Sequence, residues 1–217
     1  MKTIDVELRP LKTTGGNKVW PASERLLAHL LRLGGPKKRL LELGAGTGWL
    51  GLSLAAAQDP HEVTMTEQRA EEAQSLLKDN LEKNRPLIGS RCQTAILDFF
   101  DPDPLMHLPR DDGFDMIIGA DLVYTREIVV AFCQTVAKAL RQYRCCMLYA
   151  HTFRRFDHLD NLMIECMETN CVQMVKVCPE TGTETAVVPV DESGESFEDF
   201  ELFPEQRIEV LKLTLKE

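Results

Sequence analysis

No stretch of the sequence is long and apolar enough to span a bilayer. The longest candidate, LLELGAGTGWLGLSLAAA from Leu40 to Ala57, is broken by Glu42 and by four glycines. The N-terminal MKTIDVELRP lacks the apolar core of a signal peptide. No Cys-x-x-Cys pair occurs, and no histidine is spaced for zinc beside Cys92, Cys133, Cys145, Cys146, Cys166, Cys171 or Cys178. These absences point to reduced cysteines buried as small apolar side chains, to no metal, and to a chain of the cytoplasm or nucleus. Positive charge is also short: 25 Lys and Arg stand against 34 Asp and Glu, a net charge of −9. A nucleic-acid partner wants a basic surface and is not expected. A basic protein segment bearing lysine is compatible with the excess of acid. No internal repeat is found, and a monomer is expected.

What is present suffices for one sizeable core, with 44% hydrophobic residues in a chain of 217. Strand-like and helix-like runs alternate, as in a parallel sheet covered on both faces. KRLLEL, EVTMT, CQTAIL, FDMIIGA and CCMLYA read as five strands, the fourth continuously apolar as a central parallel strand should be. Between them Ala73, Leu76, Leu77 and Leu81, and later Ile128, Phe132, Val136, Ala139 and Leu140, recur at helical spacing. CVQMVKV and RIEVLKLTL complete seven strands, with a helix from about Arg155 to Thr169 ahead of them.

The predicted fold is α/β, a Rossmann-like, seven-stranded, mostly parallel sheet with its last strand antiparallel. All of 1–217 forms one domain. Residues 1–37 hold a small hairpin turning at Thr14-Gly15-Gly16 and a helix capped by Ser23 or opened by Pro21, with Leu26, Leu27, Leu30, Leu31 and Leu33 facing the core. Residues 38–150 form a cofactor-binding core. Residues 151–217 include an acidic loop, 179–204, whose DESGESFEDFE reads as solvated.

Gly46-Thr47-Gly48-Trp49-Leu50-Gly51 satisfies G-x-G-x-x-G, the dinucleotide fingerprint, and Glu67 follows at nearly the right distance. A second register, Glu42-x-Gly44-x-Gly46-x-Gly48, fits S-adenosylmethionine better. Glu42 would meet the cationic methionine amine, whereas a pyrophosphate placed there would be repelled. Glu67, at the end of the second strand, suits two ribose hydroxyls in either cofactor. Asp98 and Phe99, after the third strand, suit an adenine amino group and ring. They also read as a turn cap and a core aromatic. Asp121 and Tyr124 follow the fourth strand, so four acids stand at four strand ends, where open α/β sheets bind ligands.

VW with Trp20, LLELGAGTG, VTMTE and ADLVY, in this order, resemble methyltransferase family 16. Its members are seven-strand, S-adenosylmethionine-dependent enzymes, many acting on protein lysines. The resemblance implies that Trp20 lies against the methionine end of the cofactor. The glycine turn (Gly44, Ala45, Gly46, Thr47, Gly48) would line the cofactor, Glu67 would hold the ribose, neighbouring Gln68 would also bind the cofactor, and Ala120 would contact it by its backbone. Asp121 and Tyr124 would face the methyl acceptor. Glu67 stands where the family often has Asp, and Phe99 where it often has Trp. The expected activity is methyl transfer to a lysine of a protein. A helix N-cap remains a reading of Asp121, and a packing aromatic one of Tyr124. A small-molecule N-methyltransferase, a non-catalytic binding module and a nicotinamide oxidoreductase remain open as wholes.

Overall fold

Alternation within KRLLEL places Leu41 and Leu43 on one face of a strand and Leu40 and Glu42 on the other. In the computed structural model that strand, β1 (Arg39–Leu43), lies inside an eight-stranded sheet. The structure describes residues 3–11, 16, 18–36, 38–57, 61–109, 113–153, 158–187 and 208–216. β2 (Glu62–Glu67) and β4 (Met116–Ala120) flank β1 in parallel, and β3 (Cys92–Ile96) and β5 (Cys146–Thr152) extend the sheet outward, also in parallel. β8 (Ile208–Leu215) then runs antiparallel between β5 and β6 (Val172–Val177), and β7 (Glu184–Ala186) closes that edge. The order is β3-β2-β1-β4-β5-β8-β6-β7. Chain direction away from the centre reverses between β1 and β4, so their carboxyl ends open the crevice in which such sheets bind ligands.

α1 (Pro21–Leu33), α2 (Trp49–Ala55) and α3 (Glu71–Ile88) cover one face, meeting Leu40, Val63, Met65, Ile118, Leu148 and Val210 of the strands. α4 (Arg126–Tyr143) and α5 (Leu159–Thr169) cover the other, where Phe132, Val136, Leu140 and Met163 pack on Leu41, Leu43, Ile117, Tyr149 and Leu213. Full burial of a side chain such as Leu26, Leu52 or Phe132 contributes about 2 kcal/mol.

Several expectations are corrected. The sheet has eight strands, not seven. β7 is three exposed residues whose only strand signal is pairing with β6, and it lies inside the stretch read as an acidic loop. DESGESFEDFE itself falls outside the described residues. α1 has Pro21 at its first turn and Trp20 as N-cap, without a side-chain cap, so Ser23 is inside the helix. Ala22, Leu26, Leu27 and Leu30 are buried, but Leu31 and Leu33 are exposed because the core-facing stripe is narrower than the leucine run. Cys92 and Cys133 are buried, whereas Cys171 is exposed and the other four cysteines are half-buried; all seven are free.

The expected N-terminal hairpin contains no strand among the described residues; its turn positions 14 and 15 lie outside them. One backbone bond crosses the expected turn, from the Arg9 N–H to the Gly16 carbonyl (2.9 Å), and the segment before it is held by two asparagines of α3. Asn84 accepts the Asp5 N–H (3.2 Å) and donates to the Asp5 carbonyl (2.8 Å). Asn80 does the same at Glu7 (2.7 and 3.1 Å). The spacing explains the fit: two extended residues advance about 6.7 Å and one helical turn of four residues about 6 Å. Carboxamides on a helix thus stand in for a partner strand.

Candidate active site

The loop between β1 and α2 is pinned residue by residue at the carboxyl end of the sheet. Ala45 N–H donates to the Thr66 carbonyl (2.8 Å), Gly46 N–H to Glu67 Oε2 (2.8 Å) and Gly48 N–H to the Ala45 carbonyl (2.8 Å), while the Thr47 carbonyl accepts from Asn80 Nδ2 (2.9 Å). Gly48 has φ 79° and caps α2, and a Cβ there would run into Leu77 and Met65. Gly51 has a different reason to be glycine: a Cβ would collide with the Glu42 carboxylate and with Met65. The third glycine of the dinucleotide-like pattern therefore makes room for the acid.

This loop forms one wall of a cavity of about 310 Å³, within the usual range for small-molecule sites. Trp20, Glu42, Gly44, Ala45, Gly46, Thr47, Glu67, Gln68, Asp98, Phe99, Ala120, Asp121 and Tyr124 all line it. Gly48 does not; it shapes the turn from behind. Lys18, Trp49, Phe100 and Ile128 line it as well and were not anticipated. Trp49, an aromatic directly after the glycine loop, carried a readable signal. Phe100, the second aromatic of LDFF, was equally visible, but sequence alone does not say which of two adjacent rings faces inward.

Glu42 is buried, and its Oε2 has no hydrogen-bond partner among the described residues. Burial pushes the carboxyl pKa up to about 8; the nearby Glu67 charge adds to the rise and the Gly51 amide opposes it. A buried carboxyl left in this state is costly unless a cation arrives. Glu67 is also buried and raised for the same reason, while the amides of Gln68 and Gly46 hold its charge and Asp98 raises it further. Asp98 Oδ1 accepts the Phe100 N–H (3.0 Å), so it caps a turn and lines the cavity at once. Phe99 meets Phe132 edge-on at 5.7 Å, joining the cavity to the core behind it.

Asp121 is a non-glycine residue with φ 55°, a conformation costing about 1–2 kcal/mol. Its surroundings hold it there. Its N–H donates to the Ala150 carbonyl (2.9 Å), and its two carboxylate oxygens accept from the Thr152 N–H (3.1 Å) and hydroxyl (3.0 Å). It does not cap α4: Thr125 does, its Oγ1 accepting the Ile128 N–H at 3.4 Å. Tyr124 is 49% exposed at the cavity mouth and is no core aromatic. Burial of its hydroxyl side and the Glu67 charge raise its pKa.

Four carboxylates and one cation therefore line the cavity among the described residues. Lys18 lies 3.9 Å from the Trp20 ring centroid. That balance suits a ligand carrying positive charge and an exposed nucleoside, and it disfavours a pyrophosphate. A family model described as lysine methyltransferase matches residues 4–170. The chain belongs to the lysine methyltransferase family.

Relatives of this family member include a calmodulin-lysine N-methyltransferase of Arabidopsis thaliana, 27% identical over 149 residues, which span 67% of this chain and 48% of that protein. A protein N-lysine methyltransferase of Danio rerio is 36% identical over 99 residues, 46% of this chain and 43% of its own. The chain thus spans about half the length of the curated relatives it matches. Among solved structures, a methyltransferase from Pyrococcus furiosus superposes with a TM-score of 0.57 at 16% identity, covering 99% of this chain and 90% of that one. The precorrin-6y C5,15-methyltransferase of Geobacter metallireducens gives 0.52 at 13% identity, covering 90% and 86%. At such identities these two establish the fold alone, a Rossmann-like methyltransferase fold. No described helix is long and apolar enough to cross a membrane. Among the described residues, no group of three or more His, Cys, Asp or Glu is placed to hold a metal.

Proposed function

We propose that this chain transfers the methyl group of S-adenosylmethionine to a lysine amine of a protein. The observation that carries the reading is the buried carboxyl of Glu42, whose Oε2 has no hydrogen-bond partner among the described residues, in a cavity that Asp121 and Tyr124 also line. Glu42 suits the methionine ammonium, Glu67 the ribose hydroxyls, and Asp98 with Phe99 or Phe100 the adenine. When bound, the cofactor supplies an electrophilic methyl on a sulfonium.

The protein supplies alignment and electrostatics. A lysine attacks only as the neutral amine, and its ordinary pKa is about 10.4. An ordinary aspartate is far too acidic to serve as a strong base. Anchored on Thr152, the Asp121 carboxylate lines the cavity, where it orients the amine and favours the cation that forms. Tyr124 offers an aromatic wall and a cation–π surface for that cation. The amine proton leaves to water.

Asp121→Asn retains the left-handed backbone, which Asn tolerates, and the Thr152 contacts, but removes the charge. Transfer is expected to fall about 100-fold or more, with the dissociation constant for S-adenosylmethionine changed by no more than about twofold. Radiolabelled S-adenosylmethionine incubated with a cell lysate, followed by mass spectrometry of the labelled band, reads the activity; calorimetry reads the affinity. Label confined to lipid or small metabolites overturns the protein-lysine assignment. Loss of cofactor affinity in Asp121→Asn overturns the role of Asp121. Binding of NAD in preference to S-adenosylmethionine overturns both.

A further inference from the structure

The last four residues of β5 clamp the loop that carries Asp121 and Tyr124. Ala150 and Thr152 hold Asp121, as described above. Tyr149, on the opposite face of the strand from them, holds the next two residues: its hydroxyl accepts the N–H of Leu122 (2.9 Å) and of Val123 (3.3 Å). Behind Tyr149 stands His151, two residues along and therefore on the same face, with the rings stacked at 5.5 Å and 28°. The Tyr149 hydroxyl is 3.3 Å from His151 Nδ1, and His151 Nε2 is 2.7 Å from Asp160 Oδ1 on α5. All three side chains are buried, and none lines the cavity.

Hydrogen-bond accounting assigns the protons. A hydroxyl that accepts two backbone N–H groups still has its own proton to donate, and Nδ1 at 3.3 Å is placed to accept it. Nδ1 is then an acceptor, so Nε2 carries the ring proton and donates it to the Asp160 carboxylate. The relay runs Asp160 to His151 to Tyr149 to the two loop amides, with each donor facing an acceptor. Packing alone does not call for such a chain. A well-packed apolar trio would cover the same core without taking a carboxylate out of water. What the relay adds is direction: it sets where two consecutive peptide units of the loop lie, directly between the strained Asp121 and Tyr124.

We propose that Tyr149, His151 and Asp160 form a positioning relay for the acceptor-side loop, with His151 as its pivot. The proposal rests on the reading that this loop faces the methyl acceptor. Through the relay, α5, on the far side of the sheet from the cofactor loop, controls the placement of Asp121 and Tyr124 without touching either ligand.

Tyr149→Phe keeps the ring and removes the hydroxyl. Asp160→Asn keeps an oxygen that accepts from Nε2 and serves as the conservative variant. In Tyr149→Phe, amide exchange at Leu122, read by NMR, is expected to quicken by about tenfold or more, because its N–H loses the Tyr149 hydroxyl as acceptor. Methyl transfer into the labelled lysate band at saturating S-adenosylmethionine is expected to fall by about tenfold, while calorimetry gives an unchanged cofactor affinity. Asp160→Asn is expected to keep most of the transfer rate. Nitrogen-15 shifts of His151 in the wild-type protein should show Nδ1 bare and Nε2 protonated.

A Tyr149→Phe variant that melts lower but transfers methyl at the wild-type rate assigns the relay to stability only and overturns the proposal. Unchanged exchange at Leu122, loss of cofactor affinity together with rate, or the opposite His151 tautomer does the same. Should the wild type label no protein at all, the lysine reading fails by itself. The exchange and tautomer measurements still decide whether the relay holds the loop.

Discussion

Burial raises the pKa of Glu42 from 4.5 to about 8. At pH 7 it is mostly protonated. An ammonium group placed against it favours the carboxylate and lowers that pKa, so binding S-adenosylmethionine near pH 7 should release up to one proton, with affinity rising as pH climbs towards 8. Calorimetry at pH 7 in buffers of different ionisation enthalpy checks this; no buffer dependence assigns the ammonium to another group. The same shift has a sign for stability. A carboxyl whose folded pKa lies above its unfolded one loses stability as pH rises between the two values, by up to roughly 5 kcal/mol in the cofactor-free protein. Glu42→Gln stays neutral, so it should melt above wild type at pH 8 and close to it near pH 5, while binding the cofactor more weakly. Gly51→Ala meets the same carboxyl from the other side and should lower both melting temperature and cofactor affinity.

At the scale of elements, α3 does more than cover the sheet. Asn80 joins three segments: the arm at Glu7, its own helix and the cofactor loop at Thr47. Asn84 serves the arm at Asp5 and bonds back to the Asn80 carbonyl. Removing either should loosen the arm, but only Asn80 also holds the loop. Asn80→Ala is expected to cost about 2–3 kcal/mol and to weaken S-adenosylmethionine binding. Asn84→Ala should cost less and leave binding unchanged. Urea melts and calorimetry separate the two, and equal binding defects in both variants would assign the loop's order to the arm rather than to Asn80 itself.

Over the whole molecule, the sheet is completed by the last strand in the chain. β8 lies between β5 and β6, so Leu211 and Leu213 seal the α4/α5 core while Ile208 and Val210 seal the other. Until they arrive, β5, whose end positions Asp121, has an open edge, and the β6–β7 hairpin has no place to dock. Deleting residues 208–217 should therefore abolish cooperative unfolding and near-ultraviolet circular dichroism, and leave aggregation-prone edges. A soluble, cooperatively melting deletion variant would show that the first five strands are self-sufficient.

The alternation of strand and helix, the glycine turn and the acids at the strand ends were legible from residue order, because local periodicity and short spacings encode them directly. Such signals point to Glu42, Glu67, Asp98, Phe99, Asp121 and Tyr124, the family resemblance adds Trp20, and the fold brings them all to one cavity. Other features depend on partners distant in sequence and were not legible. β7 has no apolar pattern of its own, and the N-terminal arm alternates like a strand but pairs with two asparagines more than 70 residues away. His151 belonged to no visible constellation, since Tyr149 lies beside it only through strand pleat and Asp160 only through the packing of α5. Sequence by itself determined which chemistry the strand ends carry. Only the tertiary structure decided how that chemistry is held, because buried polar groups take their partners from whatever the packed elements bring within hydrogen-bond reach.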